Sequence, residues 1–333
     1  MVRMKKIAVL MGGRSSEREV SLASGRNVAE ALASLGKYEV VPIDLTEESL
    51  DALPDGIDAV YIALHGGWGE NGGVQAALNA RKIPYTGPGV LASQIAMDKI
   101  RTKMVLEMKR VPTAAWGLAN ADTPASPLPL PVVVKPPCDG SSVGISKVAK
   151  AEDWAPALKA AAQTFQTFQT FQTRPVLVEE FIPGREFTVG IIDGEPLPVI
   201  EIVAKGGWYG YDEKYRSNET RYVFLGEERS GKWEMGSGAK EEGRGSEGGS
   251  AEGREPLEQK LQRLALDAYR AVGCRGVTRV DFRVSPLGRC YVLELNTSPG
   301  FTSHSLVPKA GMKTGLTFAG VCDRILSCAD YDR

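Results

Sequence analysis

The first ninety or so residues alternate between apolar runs and apolar positions at helical spacing. The runs at residues 6–10, 38–45 and 59–64 have the length and composition of buried strands. Residues 20–35 and 74–80 repeat apolar side chains with the period of an amphipathic helix. This alternation of strands and helices predicts a parallel, doubly wound sheet with ligand sites at the carboxyl ends of its strands.

The pattern changes after residue 90. One long helical pattern covers residues 90–109, and a proline-rich connector at residues 123–131 then indicates passage into a second domain. Further strands are predicted at residues 132–135, 176–182, 186–192, 276–284 and 290–296, and further helices from Ala151 and over residues 256–272.

Two segments have unusual composition. Residues 164–173 repeat Thr-Phe-Gln three times, which we interpret as a helix extended by local duplication. Residues 226–255 are rich in Gly, Glu, Ser, Lys and Arg and nearly free of aliphatic side chains. Because such a segment cannot bury enough apolar surface to offset its chain entropy, we predict a disordered surface loop there.

Composition narrows the class of protein. With 43% hydrophobic and 24% charged residues, the chain is typical of globular proteins. A net charge of −1 gives no general attraction to nucleic acid or to an anionic membrane. No apolar stretch has the length of a membrane span, and the first apolar run is too short for a signal peptide. Five cysteines without a C-x-x-C pair indicate reduced thiols, so we predict a cytoplasmic protein.

Two predicted strands near the C-terminus carry charged and polar side chains at alternate positions. Alternation places Arg279 and Asp281 on one face of the first strand. It places Val292, Glu294 and Asn296 on one face of the second strand. The polar side chains of both strands would then meet on the same face of a sheet.

A turn composition at residues 285–288 joins the two strands into a hairpin. If the turn is centred between the last two of these residues, Asp281 lies opposite Glu294 and Arg279 lies opposite Asn296. Directly opposed side chains start about 5 Å apart, close enough to share a ligand.

Two facing carboxylates repel each other unless a cation lies between them. Carboxylate oxygens with an asparagine carbonyl suit Mg²⁺, which completes its shell with phosphate oxygens and water. Arg279 beside this cluster could hold a phosphate or a developing oxyanion. A surface ladder of salt bridges is the alternative that the hairpin by itself leaves open.

A loop of small residues, DGSSVG at residues 139–144, follows the strand that ends near Lys135. Small side chains let backbone N–H groups approach a phosphate, and two serine hydroxyls add donors. The loop has neither Walker A nor dinucleotide-binding spacing, so a plain hairpin turn is the alternative. Lys135 and Lys99 could each neutralise nucleotide phosphates, and a solvated lysine is the alternative for both.

Residues 178–182 (VEEFI) fit either a buried strand edge or an adenine-binding hinge. In the hinge interpretation, adenine contacts backbone groups near Phe181 and Ile182 and the Glu179 carboxylate. Glu186 would then lie within reach of a ribose. The local pattern favours the strand.

Taken in order, these pieces resemble the ATP-grasp enzymes, in particular the D-alanine–D-alanine ligase family. The resemblance covers nearly the whole chain apart from residues 164–173 and 226–255. The stretches that carry it are GGRSSEREVS (12–21), ALHG (63–66), MDK (97–99), VKP (134–136), GSSVG (140–144), YDEKY (211–215) and ELNTSPGFTSHSL (294–306).

The resemblance implies an α/β fold that is α+β in its ATP-binding part, with three domains. A Rossmann-like N-terminal domain at residues 1–93 would bind substrate. A central ATP-grasp subdomain would cover residues 94–178, and a C-terminal catalytic and metal-binding domain residues 179–333. ATP would lie between the central and C-terminal domains.

The resemblance also implies residue roles. ATP phosphates would contact Lys99, Lys135, Ser141, Ser142 and Lys214. Adenosine would be held by Glu179, Phe181, Ile182 and Glu186. Two Mg²⁺ (or Mn²⁺) ions would be coordinated by Asp281, Glu294 and Asn296.

The first D-alanine would place its ammonium group on Glu17, with His65 nearby. The oxyanion hole would consist of Arg279 and the backbone N–H of Gly300. The second D-alanine would be positioned by Ser305 and Leu306. The remaining implied catalytic residues are Ser141 and Tyr215.

The implied reaction converts the carboxylate of one D-alanine into an acyl phosphate, which the amine of a second D-alanine attacks. The loop that carries Lys214 and Tyr215 would close over the site as a lid. Tyr215 favours the dipeptide, because relatives that use D-lactate tend to carry phenylalanine in this loop. The resemblance further implies a homodimer and a role in peptidoglycan precursor synthesis.

Two rival functions remain at this point. Another ATP-grasp ligase, such as a D-alanine–D-lactate enzyme, would share most of the motifs. A nucleotide-binding oxidoreductase or a non-catalytic nucleotide sensor would use the first strand–helix–strand unit. Residues 12–16 (GGRSS) lack the G-x-G-x-x-G spacing of dinucleotide sites, and a dehydrogenase would not need the carboxylate hairpin. The chain departs from the family in the long segment at 226–255 and in a shortened stretch at 116–131.

Overall fold

The computed structural model describes residues 3–138, 144–163, 175–204, 220–226, 255–302 and 304–332. The Thr-Phe-Gln repeat and nearly all of the 226–255 segment lie outside these residues, so the two predictions made for them stay predictions. Within the described ranges, no helix combines the length and apolarity that crossing a membrane requires.

The N-terminal part forms a three-stranded parallel sheet, as the alternating pattern predicts. Its strands are β1 (Lys5–Gly12), β2 (Tyr38–Leu45) and β3 (Ala59–Ile62), which pair in the order β2-β1-β3. Helix α1 (Arg18–Ser34) connects the first two strands, and helix α2 (Gly73–Ala80) follows the third. The predicted elements are therefore all present in this part, with boundaries that differ by one or two residues.

Side chains of the central strand β1 alternate between two apolar cores. Ile7 and Val9 pack with α1 on one face of the sheet. Ala8 and Leu10 pack with α2 on the other face. Because both faces of β1 are covered, the strand is a nearly continuous apolar run rather than an alternating one.

The prediction of one helix over residues 90–109 is wrong. The structure has two helices, α3 (Val90–Met97) and α4 (Lys99–Met108), with Asp98 in an extended conformation between them. The Asp98 carboxylate accepts hydrogen bonds from two backbone N–H groups in the first turn of α4. An aspartate at this position satisfies donors that a helix start leaves without a partner in the helix. The chain therefore starts a new helix immediately before Lys99.

A four-stranded antiparallel sheet follows, in the order β4-β7-β5-β6. Its strands are β4 (Trp116–Ala119), β5 (Val132–Lys135), β6 (Ser146–Val148) and β7 (Val176–Glu180). Helix α5 (Trp154–Gln163) begins after a short 3₁₀ turn at Ala151–Asp153. It packs against the sheet through Trp154, Ala157 and Leu158.

The remaining strands form a second antiparallel sheet, in the order β11-β10-β8-β12-β13, with β9 paired to β8. They are β8 (Arg185–Ile192), β9 (Glu195–Pro196), β10 (Ile200–Val203), β11 (Arg221–Phe224), β12 (Val277–Val284) and β13 (Cys290–Asn296). Three helices accompany this sheet: α6 (Leu257–Val272), α7 (Leu306–Lys313) and α8 (Phe318–Ser327).

The C-terminal helices join this sheet to the N-terminal one. Val321 and Ile325 of α8 share a core with Val28 and Leu32 of α1. Beyond α8 the chain returns to the N-terminal part, where Asp330 forms an antiparallel bridge with Tyr85. The two ends of the chain are therefore held together by packing and by backbone hydrogen bonds.

The hairpin of β12 and β13 has the predicted register at its polar end. Asp281 lies opposite Glu294, and Arg279 lies opposite Asn296. On its other edge, β12 pairs with β8 along its whole length. Strand β12 is therefore an interior strand, which fixes the positions of both of its polar side chains.

The prediction that Val292 shares a face with Glu294 and Asn296 is wrong. The register shifts after Asp281, so that Phe282 pairs with Val292 and Leu293 is an extra residue in β13. A bulge of this kind interrupts the side-chain alternation of a strand. Val292 consequently lies in the apolar core with Phe282, while Glu294 faces the polar side.

Next to the bulge, β13 bonds to a segment outside the hairpin. The N–H of Val292 donates to the carbonyl of Pro112 at 2.9 Å, and its carbonyl accepts from the Thr113 hydroxyl at 2.8 Å. Thr113 thus pairs with Val292 as a parallel bridge. The segment before β4 is therefore hydrogen-bonded to the backbone of β13 two residues before Glu294.

Candidate active site

Asp281 is the centre of a dense hydrogen-bond cluster on the polar face of the last hairpin. Arg279 donates to both of its carboxylate oxygens, from Nε and Nη2, at 2.9 Å each. The Thr188 hydroxyl donates to Oδ1 at 2.6 Å, and the Asn296 amide donates to Oδ2 at 3.0 Å. Three neighbouring positions of the sheet thus fix one nearly buried carboxylate, which is 6% exposed.

Glu294, directly across from Asp281, faces a lysine from another element. Its Oε2 lies 3.5 Å from the Nζ of Lys99. Lys99 is the first residue of α4, and its N–H donates to the carbonyl of Pro137 at 2.8 Å. The helix break at Asp98 therefore brings the Lys99 ammonium to the acidic hairpin. It also bonds the Lys99 backbone to Pro137, just before the loop that is predicted to bind phosphate.

The donor set of this cluster fits magnesium that arrives with a nucleotide. Asp281, Glu294 and Asn296 offer two carboxylates and one amide carbonyl, the oxygen ligands that Mg²⁺ prefers. Among the described residues, no group of three or more His, Cys, Asp or Glu could hold a metal ion by itself. Mg²⁺ bound by so few protein ligands would complete its shell with water or with phosphate oxygens.

His65 links the N-terminal sheet to the loop after β13. Its Nδ1 lies 3.0 Å from the Ser298 carbonyl, and its Nε2 lies 3.1 Å from the Ser24 hydroxyl. Because a carbonyl only accepts, Nδ1 carries the proton, and neutral His65 accepts from Ser24 at Nε2. Burial lowers the pKa of His65, against the opposing field of Glu17, which favours this neutral form.

Glu17 lies at the N-terminus of α1, beside the segment that carries His65. Its N–H donates to the Ser15 hydroxyl at 3.2 Å, and Ser15 donates to the His65 carbonyl at 2.5 Å. A Cβ added at Gly66, which has a φ of +67°, would lie 2.9 Å from Glu17 Oε2. Glycine at position 66 is therefore required both for its backbone conformation and for the close approach of the carboxylate.

Glu70 is a residue of this site that the sequence reasoning missed. Its Oε1 lies 4.0 Å from His65 Nδ1. Burial and the charge of Glu17 raise the pKa of Glu70 to about 8. The available signal was its position five residues after His65, within a glycine-rich stretch at residues 66–73.

The two polar groups act on each other electrostatically. The charge of Arg279 lowers the pKa of both His65 and Glu70, and the charge of Glu294 raises that of Glu70. The hairpin side chains are thus close enough to Glu17 and its neighbours for their fields to overlap. The structure brings together residues from the first and last parts of the chain.

The loop after β13 presents the residues predicted to meet the second substrate. Ser305 immediately precedes α7, and its hydroxyl accepts from the N–H of Thr302 at 2.8 Å. Leu306 follows as the first residue of α7 and is buried. A Cβ added at Gly300 would lie 2.9 Å from the Ser305 hydroxyl, so a side chain there would displace Ser305.

Glu179 is a buried strand residue between two lysines, in agreement with the strand interpretation of its segment. It lies in β7 between β4 and β5 and is 2% exposed. Lys135, at the end of β5, and Lys103, on α4, both form ion pairs with its carboxylate. Burial would raise the pKa of Glu179, but the two ammonium groups outweigh it and lower the pKa to about 2.

The residues that follow β7 occupy its end and the adjacent sheet. Phe181 has the Lys147 ammonium over its ring at 3.8 Å from the centroid. The carbonyl of Ile182 accepts from Nε of Arg283 at 3.3 Å. Arg283 also donates to Glu186 at 3.2 Å, so this guanidinium holds together the segment predicted to contact adenosine.

Four of the predicted site residues lie outside the described part of the chain: Ser141, Ser142, Lys214 and Tyr215. Their predicted contacts with phosphate and with substrate stay predictions.

Comparison with protein families supports the motif-based resemblance. The family described as D-ala D-ala ligase N-terminus matches residues 6–53, and the family described as D-ala D-ala ligase C-terminus matches residues 105–229 and 249–327. The two matches cover the first two strands of the N-terminal sheet and both antiparallel sheets.

Individual relatives match along nearly the whole chain. The D-alanine–D-alanine ligase of Aromatoleum aromaticum is 43% identical over 97% of this chain and 96% of its own length. That of Bordetella avium is 40% identical over 98% and 95%. The crystal structure of the D-alanine–D-alanine ligase from Bacillus anthracis complexed with ATP matches with a TM-score of 0.75 and 30% identity, covering 97% of each chain. The chain, with its carboxylate hairpin facing Glu17 and His65, belongs to the D-alanine–D-alanine ligase family.

Proposed function

We propose that this chain joins two molecules of D-alanine into D-alanyl-D-alanine with hydrolysis of ATP to ADP and phosphate, as a step of peptidoglycan precursor synthesis. The observation that carries the proposal is the juxtaposition of Asp281 and Glu294, flanked by Arg279 and Lys99, with the cluster of Glu17 and His65. One cluster suits the polyphosphate of ATP, and the other suits a small zwitterion.

ATP is the energy source because a carboxylate is a poor electrophile until its oxygen is phosphorylated. We place ATP between a central domain at residues 94–178 and a C-terminal domain at residues 179–333, after a substrate-binding domain at residues 1–93. The relative from Bacillus anthracis was solved as a complex with ATP. Lys99 and Lys135 would face the phosphates, whose charge their ammonium groups offset, together with Ser141, Ser142 and Lys214.

Adenosine would lie at the end of β7. Phe181 and Ile182 offer backbone groups there, and Glu186 lies on the neighbouring strand within the reach of Arg283. The Glu179 carboxylate lies between two lysines, so its contribution to the nucleotide site includes the orientation of Lys135.

Asp281, Glu294 and Asn296 would hold two Mg²⁺ (or Mn²⁺) ions. Bound there, the ions would offset the charge on the transferred phosphoryl group. Arg279 and Lys99 also offset the charge of the two carboxylates.

The first D-alanine would bind through its ammonium group to Glu17. Neutral His65 lies next to this carboxylate, and its Nδ1–H is directed to the Ser298 carbonyl. His65 would therefore hold the loop after β13 against the N-terminal sheet. In this arrangement the backbone N–H of Gly300 and the Arg279 guanidinium would lie on the same side of the bound carboxylate.

The second step is attack of the amine of another D-alanine on the acyl phosphate, with Ser305 and Leu306 positioning the attacking molecule. The tetrahedral intermediate carries a negative oxygen, which Arg279 and the Gly300 N–H would stabilise. Acyl phosphates hydrolyse in water, so we expect the segment of Lys214 and Tyr215 to close over the site.

Product analysis tests the proposal and its nearest rival together. Incubation with ATP, Mg²⁺ and D-alanine should yield D-alanyl-D-alanine, detected by mass spectrometry. With D-lactate added in equal amount, the dipeptide should remain the main product because Tyr215 is present. A predominant D-alanyl-D-lactate product would reject the assignment of the second substrate.

Size-exclusion chromatography with light scattering tests the expected homodimer.

A further inference from the structure

Lys103 is a fully buried lysine, 1% exposed, on the inner face of α4 one turn after Lys99. Its Nζ lies 2.6 Å from Glu179 Oε1, 2.5 Å from the Thr113 hydroxyl and 3.4 Å from the Ala114 carbonyl. The contact with Glu179 is an ion pair, and the contacts with Thr113 and Ala114 are hydrogen bonds. The sequence reasoning did not single out this residue.

The neighbours of Lys103 fix its role as a donor. The Thr113 hydroxyl uses its own proton on the Val292 carbonyl at 2.8 Å, so its oxygen can only accept from Lys103. Val292 lies two residues before Glu294, next to the bulge in β13. The ammonium of Lys103 therefore connects the Glu179 carboxylate to the strand that carries a predicted metal ligand.

Among the residues that the structure describes, Glu179 has two cationic partners, which differ in their exposure to solvent. The side chain of Lys103 is 1% exposed, whereas that of Lys135 is 11% exposed at the end of β5. Glu107, one turn further along α4, is the other carboxylate whose charge acts on Lys103. The fully buried Lys103 and the slightly exposed Lys135 thus pair with the same buried carboxylate.

We propose that Lys103 is a positioning residue for nucleotide binding: it remains the counter-ion of Glu179 when Lys135 leaves that carboxylate to contact a phosphate of ATP. The inference rests on the proposed function, because it takes ATP as the nucleotide that draws Lys135 away. A buried carboxylate without a cation is costly and takes up a proton. Lys103 prevents that uptake and so makes Lys135 available.

Lys103→Met tests this role, because methionine keeps the length and burial of the side chain without its charge. In the variant, Glu179 would lose its last cation whenever Lys135 turned to phosphate. We expect the KM for ATP to rise about tenfold with a much smaller change in kcat. We also expect binding of the non-hydrolysable β,γ-methylene analogue of ATP to take up about half a proton or more near pH 7.

Proton uptake is measured by isothermal titration calorimetry in buffers that differ in ionisation enthalpy. The wild-type enzyme should show little uptake, and the matched variant Lys109→Met, at an exposed position just after α4, should behave like it. The double variant Lys103→Met/Glu179→Gln should show no proton uptake, because its buried group no longer titrates. A purely structural role for Lys103 would not change proton uptake.

The outcomes separate this inference from the proposed function. If wild-type protein makes no dipeptide, the proposed function fails first. If it does, and folded Lys103→Met binds the analogue with wild-type affinity and without proton uptake, the positioning role is wrong. If Lys103→Met does not fold, Glu179→Gln is compared with the double variant. Equal affinities for the analogue support the proposal, and a further tenfold loss in the double variant contradicts it.

Discussion

Asp281 and Glu294 lie directly opposite each other across the hairpin of β12 and β13, and each carboxylate faces a cation of the chain itself. Arg279 forms a two-pronged contact with Asp281, and Lys99 approaches Glu294 from α4. Opposed carboxylates repel, so the two cations stabilise an arrangement that would otherwise destabilise the hairpin. The same pairing keeps an acidic site assembled before metal and nucleotide bind.

Glu294→Gln should lower kcat for dipeptide synthesis by about 100-fold or more, because it removes a charge that the metal would need. The amide has nearly the same shape, so the circular dichroism spectrum and the melting temperature should stay close to those of the wild type. Glu30→Gln, at an exposed position on α1, is the control and should not change the rate. Wild-type turnover in Glu294→Gln would remove the metal assignment.

Arg279→Lys should lower kcat by about 10²–10³-fold, because a lysine cannot reproduce the planar contact with Asp281 and the oxyanion together. The KM for ATP should change far less, since the lost interaction belongs to the transition state. Steady-state kinetics with varied ATP and D-alanine measures both quantities. A pure rise in either KM with unchanged kcat would place Arg279 in ground-state binding only.

Asp98→Ala should destabilise the protein by about 1 kcal/mol, because the first turn of α4 loses two hydrogen bonds from its N-terminal N–H groups. The measurement is the free energy of unfolding in urea. Asp98→Asn, which keeps an acceptor, should recover most of the loss. If Asp98→Ala is as stable as the wild type, the carboxylate does not cap α4 in solution.

Glu70 should make stability depend on pH. Its pKa rises from an ordinary value of 4.5 to about 8 on folding. Between these values the folded state holds more protons than the unfolded state, so the free energy of unfolding falls as pH increases from about 4.5 to 8. Glu70→Gln should remove this contribution, so its stability relative to the wild type should increase from pH 6 to pH 8.5. A constant difference between the two proteins would contradict the raised pKa.

Much of the fold could be predicted from local pattern. The strands at Tyr38–Leu45, Val132–Lys135 and Cys290–Asn296 coincide with the predicted ranges. Each is a short apolar run bounded by turn residues, so its limits are set by its own sequence. The predicted pairing of Asp281 with Glu294 is confirmed, but the predicted turn centre between Leu287 and Gly288 is wrong. Val284 pairs with Cys290, which centres the turn on Leu287, and the bulge at Leu293 restores the predicted register at the polar end.

What the pattern missed depends on distant parts of the chain. The bulge at Leu293 lies next to Val292, which bonds to Pro112 and Thr113 about 180 positions away in sequence. Burial of Lys103 likewise requires Glu179, which belongs to another element. A lysine on a helix has the same local pattern whether it is solvated or paired, so only the tertiary fold separates the two.

The central claim is that this chain couples ATP to the joining of D-alanine on the hairpin of Asp281 and Glu294. The most direct test is continuous measurement of ADP release by the purified, folded protein. We predict release that requires both D-alanine and Mg²⁺, with one dipeptide formed for each ADP. No ADP release across millimolar D-alanine and ATP in the presence of Mg²⁺, or release that does not depend on D-alanine, would contradict the account.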